Sequence, residues 1–133
     1  MLPQTVNVPR VVDLFVPTVQ ALQKLGGSAS IEEIDEKIVE LINLSDGART
    51  VLHNNGPRTK FQYRCAWARS WLKHADLTTN SERGVWTLTF SGDLITEEDF
   101  ASLPTRVRQA VYAIRRGRQI EKTEQEDGDQ EEA

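Results

Sequence analysis

The stretch RCAWARSWLKHADLTTNSERGVWTLT, residues 64–89, changes its period halfway along. Through residue 75 the apolar residues recur at helical spacing; from residue 77 two short β-prone runs, 77–79 and 85–89, flank the turn-forming NSERG. A helix followed by a hairpin is expected, with Arg83 at the tip and Gly84 free to take positive φ. The helix is expected over about residues 61–75. At about 100° per residue, counted from Ala68, one side collects Phe61, Arg64, Cys65, Trp71, Leu72 and Ala75. The far side collects Gln62, Tyr63, Ala66, Arg69, Ser70 and Lys73, with Trp67 on the flank. One face therefore reads as core and the other as polar and basic.

Upstream, residues 1–10 hold two prolines and no period, so they read as a lead-in. Residues 11–25 place apolar side chains at 11, 12, 15, 16, 19, 22 and 25, a first helix in which Pro17 either kinks the element or occupies its first turn; Gly26 and Gly27 end it. Ser30 and Glu33 form a capping-box pair ahead of Ile31, Ile34, Ile38, Leu41 and Ile42, which trace one face of a second helix. Residues 43–60 are turn-rich and are expected to be a long connector with at most one helical turn near residues 46–52. Downstream of the hairpin, FSG turns the chain. Thr96 and Thr105 are expected as caps, and Val107, Val111 and Ile114 as the buried stripe of a C-terminal helical extension over 96–118.

The chain of 133 residues suits one small domain, and its 38% hydrophobic content suffices for a modest core. The apolar runs are far shorter than the roughly 20 residues that span a bilayer, and no basic-then-apolar signal opens the chain, so a cytoplasmic protein is expected. A lone Cys65 leaves no internal disulfide, and with only two histidines a zinc cluster is not expected.

The net charge of −4 is unevenly spread. Residues 121–133 hold seven acids against Lys122, a net −6, and residues 119–133 read as an acidic disordered tail or linker. Residues 26–46 carry a net −5, whereas residues 48–92 hold seven Lys/Arg against Asp76 and Glu82, a net +5. A basic stripe of that kind is the electrostatic footprint of a phosphate-binding surface. On the outer helix face, Arg69, Ser70, Lys73 and Gln62, with Tyr63 beside them, carry groups that read base edges in a major groove. Arg58 and Lys60 adjoin them, and Arg83 is positioned for phosphate or minor-groove contact. Arg64 points toward the core side and is read as a semi-buried hydrogen-bonding residue as readily as a phosphate contact. Trp71 and Trp86 are expected to pack the hairpin onto the helix. Trp67 is expected mainly as packing as well, with contact to an extruded or modified base as the sharper alternative.

Asp35 and Lys37 in IDEKI echo a fragment of nuclease metal sites, but they lie along a capped amphipathic helix rather than on converging strands. No phosphate loop, catalytic triad or set of metal ligands stands out, so neither enzymatic activity nor a cofactor is expected. The acidic tail reads as a solubiliser, or as an intramolecular competitor for the basic face.

RCAWARSWLKHADL followed by RGVWTLTFSG resembles the N-terminal domain of Mrr-type restriction systems. The matching residues are Arg64, Trp67, Ala68, Leu72, Lys73, Ala75, Leu77, Arg83, Gly84, Trp86, Leu88, Thr89 and Gly92, and the resemblance spans roughly residues 8–95. It implies a winged helix-turn-helix that binds DNA, usually ahead of a separate nuclease domain that cuts DNA carrying modified bases. Here an acidic tail stands where that nuclease would follow, so cleavage is not carried over.

The resulting expectation is an α+β, mainly helical fold: a winged helix of three helices and a two-stranded wing over residues 11–95, then the helical extension and tail. The expected partner is double-stranded DNA, unmodified or methylated, and a homodimer and a nuclease or effector domain on the same or another chain are the further partners this reading admits. About five phosphate contacts would give a log-log salt slope near −4 to −5. The competing expectation is a protein-interaction or dimerisation module that uses RVRQAVYAIRR, residues 106–116.

Overall fold

The structure is a computed structural model and describes residues 7–125. A 3₁₀ turn at Val11–Leu14 leads into α1 (Phe15–Lys24), so Pro17 lies in the first turn of the α-helix, where its missing N–H costs nothing. The helix ends where the Leu25 and Gly27 amides donate to the carbonyls of Ala21 and Leu22, with Gly26 and Gly27 at φ +92° and +99°. β1 (Ser28–Ser30) follows, then α2 (Ile31–Ile42). The capping box is present: Ser30 Oγ accepts from the Glu33 amide at 3.1 Å, and Glu33 Oε1 accepts from the Ser30 amide at 2.9 Å. A single turn, α3 (Asp46–Arg49), interrupts the connector to α4 (Lys60–His74), the third of the expected helices.

β2 (Thr78–Glu82) and β3 (Val85–Leu88) form the expected hairpin, with Gly84 at φ +76°. The sheet has three strands, not two. β1 pairs antiparallel with β3, Ala29 opposite Trp86, and the order is β1-β3-β2. β1 escapes a reading by period because three residues are too few to show alternation and they fill the gap between the glycine exit of α1 and α2, whose cap is Ser30. The element order and sheet are consistent with a winged-helix-like fold.

α5 (Phe90–Asp93) is one turn capped by Thr89, whose Oγ1 accepts from the Gly92 amide at 3.0 Å. A 3₁₀ turn, Glu97–Asp99, follows Thr96, whose amide and hydroxyl both donate to Asp99 Oδ2. α6 (Leu103–Gln125) starts before Thr105, which therefore lies within the first turn rather than capping it. Leu103, Val107 and Val111 are buried and Ile114 is half-buried, so the expected stripe seats this helix. The helix continues through residues 119–125, where the tail had been expected to begin; residues 126–133 of that tail, like residues 1–6 of the lead-in, lie outside the described residues. Leu14, Phe15, Leu22, Ile34, Ile38, Leu72, Leu77 and Val107 are fully buried where α1, α2, α4 and α6 meet the sheet. No helix among the described residues is long and apolar enough to cross a membrane.

Candidate nucleic-acid interface

α4 begins with a second capping box, not identified in the sequence although Thr59 and Gln62 have the required spacing. Thr59 Oγ1 accepts from the Gln62 amide and Gln62 Oε1 from the Thr59 amide, both at 3.0 Å. Its buried residues are Phe61, Cys65, Ala68, Arg69 and Leu72. They centre the core direction about 45° away from Ala68 toward Cys65 and Arg69. The outward arc therefore carries the half-buried Tyr63, Ala66, Trp67, Ser70 and His74, and Gln62 and Lys73, both exposed, stand at its edge, Gln62 on the side of the α2 cavity. Gln62, Tyr63, Ser70 and Lys73 stand on the open face, as expected.

Arg69 does not, and this corrects the expected site. Its side chain is 5% exposed and its Nη1 lies 3.1 Å from Asp35 Oδ1 of α2. Its guanidinium lies over the Trp86 ring, 5.7 Å from the centroid, and its Nε has no hydrogen-bond partner. A wheel centred on Ala68 put Arg69 outside because it treated a cation as unavailable to the core. Asp35 and Trp86, distant in sequence, supply the charge and the ring that admit it. Burial pushes the Asp35 carboxyl up to about 6 even though Arg69 pulls it down. Burial, reinforced by the Asp35 charge, also raises the Cys65 thiol, which keeps it protonated.

The remaining expected residues form two groups. At the start of α4, Arg58 is exposed and sits over the Tyr63 ring at 5.4 Å, and Lys60 is half-buried in the first turn. Tyr63 stacks on His53, with centroids 3.7 Å apart and planes at 13°, and meets Trp67 edge-on at 6.1 Å. His53 was missed because a lone histidine in a loop carries no periodic signal. Arg83 is exposed at the β2–β3 turn, and the neighbouring Gly84 carbonyl accepts from the Ile31 amide at 3.1 Å, tying the hairpin to the start of α2.

Two flanking residues complete the frame. Arg64 Nη1 donates to the carbonyls of Val8 and Pro9 at 3.0 and 3.1 Å, which fastens the lead-in to α4. Trp71 does not seat the hairpin; it stacks on Phe15 at 5.7 Å and meets Tyr112 edge-on at 6.3 Å, joining α4 to α1 and α6. Of the two tryptophans it is Trp86, under Arg69, that links the hairpin to α4 in the expected sense, beside the bond that Thr78 Oγ1 donates to the Arg69 carbonyl.

The charge on this surface is one-sided. No acidic residue lies between Asp46 and Asp76, a span that includes Arg49, Arg58, Lys60 and Lys73. Beside it, a cavity of about 360 Å³ between α2 and the start of α4 mixes Glu32, Asp35 and Glu36 with Arg49, Arg58 and Arg69, so the cationic surface stops there. The open arc of α4 and the connector before it can hold phosphates and offer an amide, a hydroxyl and an ammonium to a groove.

The sequence model of one family, described as the Mrr N-terminal domain, matches residues 12–98. No curated protein and no solved structure matches the chain.

Proposed function

The chain belongs to the Mrr N-terminal domain family, a module related to restriction systems, and we propose on that footing that it is a winged helix that docks such a system on double-stranded DNA. The observation that carries this reading is the acid-free stretch from residue 47 to 75, because it forms both the open face of α4 and the loop leading into it. α4 enters the major groove with Gln62, Tyr63 and Ser70 toward the bases, while Arg58, Lys60, Lys73 and Arg83 hold phosphates. Gln62 reads a base only with the part of its amide that the capping box leaves over, since its Oε1 already serves the Thr59 amide. Trp67, edge-on to Tyr63, offers an aromatic surface for a modified base. The module does no chemistry of its own, and cutting belongs to an effector that it serves.

The dimerisation reading loses part of its support because Val107 and Val111 of residues 106–116 are buried against the module's own core, which leaves the exposed Tyr112 and the half-buried Ile114 to a partner.

The test is fluorescence anisotropy with labelled duplexes, unmodified or carrying N6-methyladenine or 5-methylcytosine, at two salt concentrations. With Arg69 withdrawn, four cations remain, and the log-log slope is expected near −4. Tighter binding to one modified duplex that persists at the higher salt identifies a modification reader. A chain that binds none of these duplexes at low salt overturns the proposal.

A further inference from the structure

The connector between α3 and α4 is built as a second hairpin. The Lys60 amide donates to the Val51 carbonyl at 2.7 Å, the His53 amide to the Arg58 carbonyl at 3.0 Å and the Gly56 amide to the His53 carbonyl at 2.8 Å, and Leu52 bridges Thr59. At its tip Asn54 and Asn55 both take left-handed backbone angles, φ 52° and 58°, and both are exposed. The whole element is fastened to α4 through the His53–Tyr63 stack and through Arg58 over the same ring. Asn54 Nδ2 lies 3.3 Å from His53 Nε2, so the fastening reaches the tip.

Hydrophobic burial does not account for this order. The residue laid on Tyr63 is a histidine, and Leu52 in the same hairpin is half exposed. What the arrangement achieves is a rigid polar tip held beside the first turn of α4, with its ordering entropy spent before any partner arrives. The charges nearest the tip, Arg58 and Lys60, are cationic, which suits a polyanion, whereas Arg49 is already paired with Glu36.

We propose that the 51–59 hairpin is a second DNA-contacting element, which places the Asn54 and Asn55 side chains against base edges beside those covered by α4. Asparagine suits this position twice: it tolerates the left-handed backbone, and its amide pairs with adenine through one donor and one acceptor. The inference rests on the DNA-docking reading above and adds a specificity element to it.

The experiment uses the full chain and duplexes enriched by the wild type from a randomised pool. In the variant N54G/N55G, glycine keeps the positive φ and removes both amides, together with the Asn54–His53 contact. It is expected to bind the enriched duplex about fivefold or more weakly, with an unchanged salt slope and little change on an unenriched duplex. Equal affinity of variant and wild type, equal losses on every duplex, or no enrichment by the wild type each overturns the hairpin's role while DNA docking stands. A wild type that binds no duplex overturns the docking reading, and the inference with it. Should the glycine variant not fold, N55C carrying a benzophenone is used instead. Cys65 is buried, so labelling is confined to the tip. Photo-cross-linking to the enriched duplex is then expected, and its absence under saturating DNA overturns the proposal.

Discussion

Arg69 of α4 and Asp35 of α2 meet at 3.1 Å with side chains only 5% and 15% exposed, and the same guanidinium lies over Trp86 of β3. Three elements that flank the proposed DNA surface are thus joined by one cation. Arg69→Ala should lower unfolding stability by about 3 kcal/mol, toward the low end for a broken buried pair, because Asp35 sheds part of the penalty by taking a proton. The double variant R69M/D35L should stand within about 1 kcal/mol of wild type, as apolar replacement of a whole buried pair is nearly neutral. Urea unfolding measures both; a loss below about 1 kcal/mol for Arg69→Ala would show that water relieves the pair.

The pH dependence follows from Asp35. Its carboxyl is raised by burial from 3.8 to about 6, so the native state holds that proton more tightly than the unfolded chain does. Stability from this site is therefore fully present below about pH 4 and is lost as pH rises toward and through about 6. Wild type minus Asp35→Asn, followed by urea midpoints from pH 4 to 8, should fall with rising pH by on the order of 2 kcal/mol, since one pH unit of displacement is worth about 1.4 kcal/mol. A difference that rises with pH would mean that the pairing with Arg69 outweighs the burial of Asp35.

Gly92 is irreplaceable for a steric reason. A Cβ at this position would sit 2.0 Å from the Leu77 carbonyl oxygen, on the backbone that joins α4 to the hairpin. Gly92→Ala must displace that backbone and should cost about 2 kcal/mol or more, read as a lower urea midpoint. Gly117→Ala, where a Cβ would meet nothing within 4 Å beyond its own turn of α6, is the matched control and should be neutral or slightly stabilising.

Lys73 and Arg58 are both exposed, one in the last turn of α4 and one just before its first. Lys73→Ala should leave unfolding unchanged, Arg58→Ala should cost about 0.5–1 kcal/mol through the lost contact with the Tyr63 ring, and each should weaken DNA binding on all sequences alike and reduce the log-log salt slope by about 1. Loss on one sequence alone would instead make that residue a base reader.

What could be read from residues 1–133 in order is what neighbours in the chain decide. Ser30 and Glu33 start α2, the two glycines stop α1, Gly84 turns the hairpin, though the turn is Arg83–Gly84 alone and Asn80–Glu82 extend β2, and the tryptophan and arginine spacing of residues 64–92 carries the family. Each depends on a free-energy difference settled within one or two turns. The open positions of α4 were legible on the same basis, since Tyr63 and Ser70 lie opposite the apolar run and Gln62 and Lys73 at its edge are exposed near the two ends of the helix.

The tertiary structure decided the rest. β1 is a strand because β3 offers Trp86 opposite Ala29, and three residues without that partner have no reason to be extended. Trp71 belongs to α1 and α6 because Phe15 and Tyr112 reach it. Arg69 is inside because Asp35, far away in sequence, neutralises it there, and His53 matters because the connector folds back onto Tyr63. Periods and caps are local energies, whereas the burial of a charge or the stacking of two rings is set by residues that only the completed fold brings within reach.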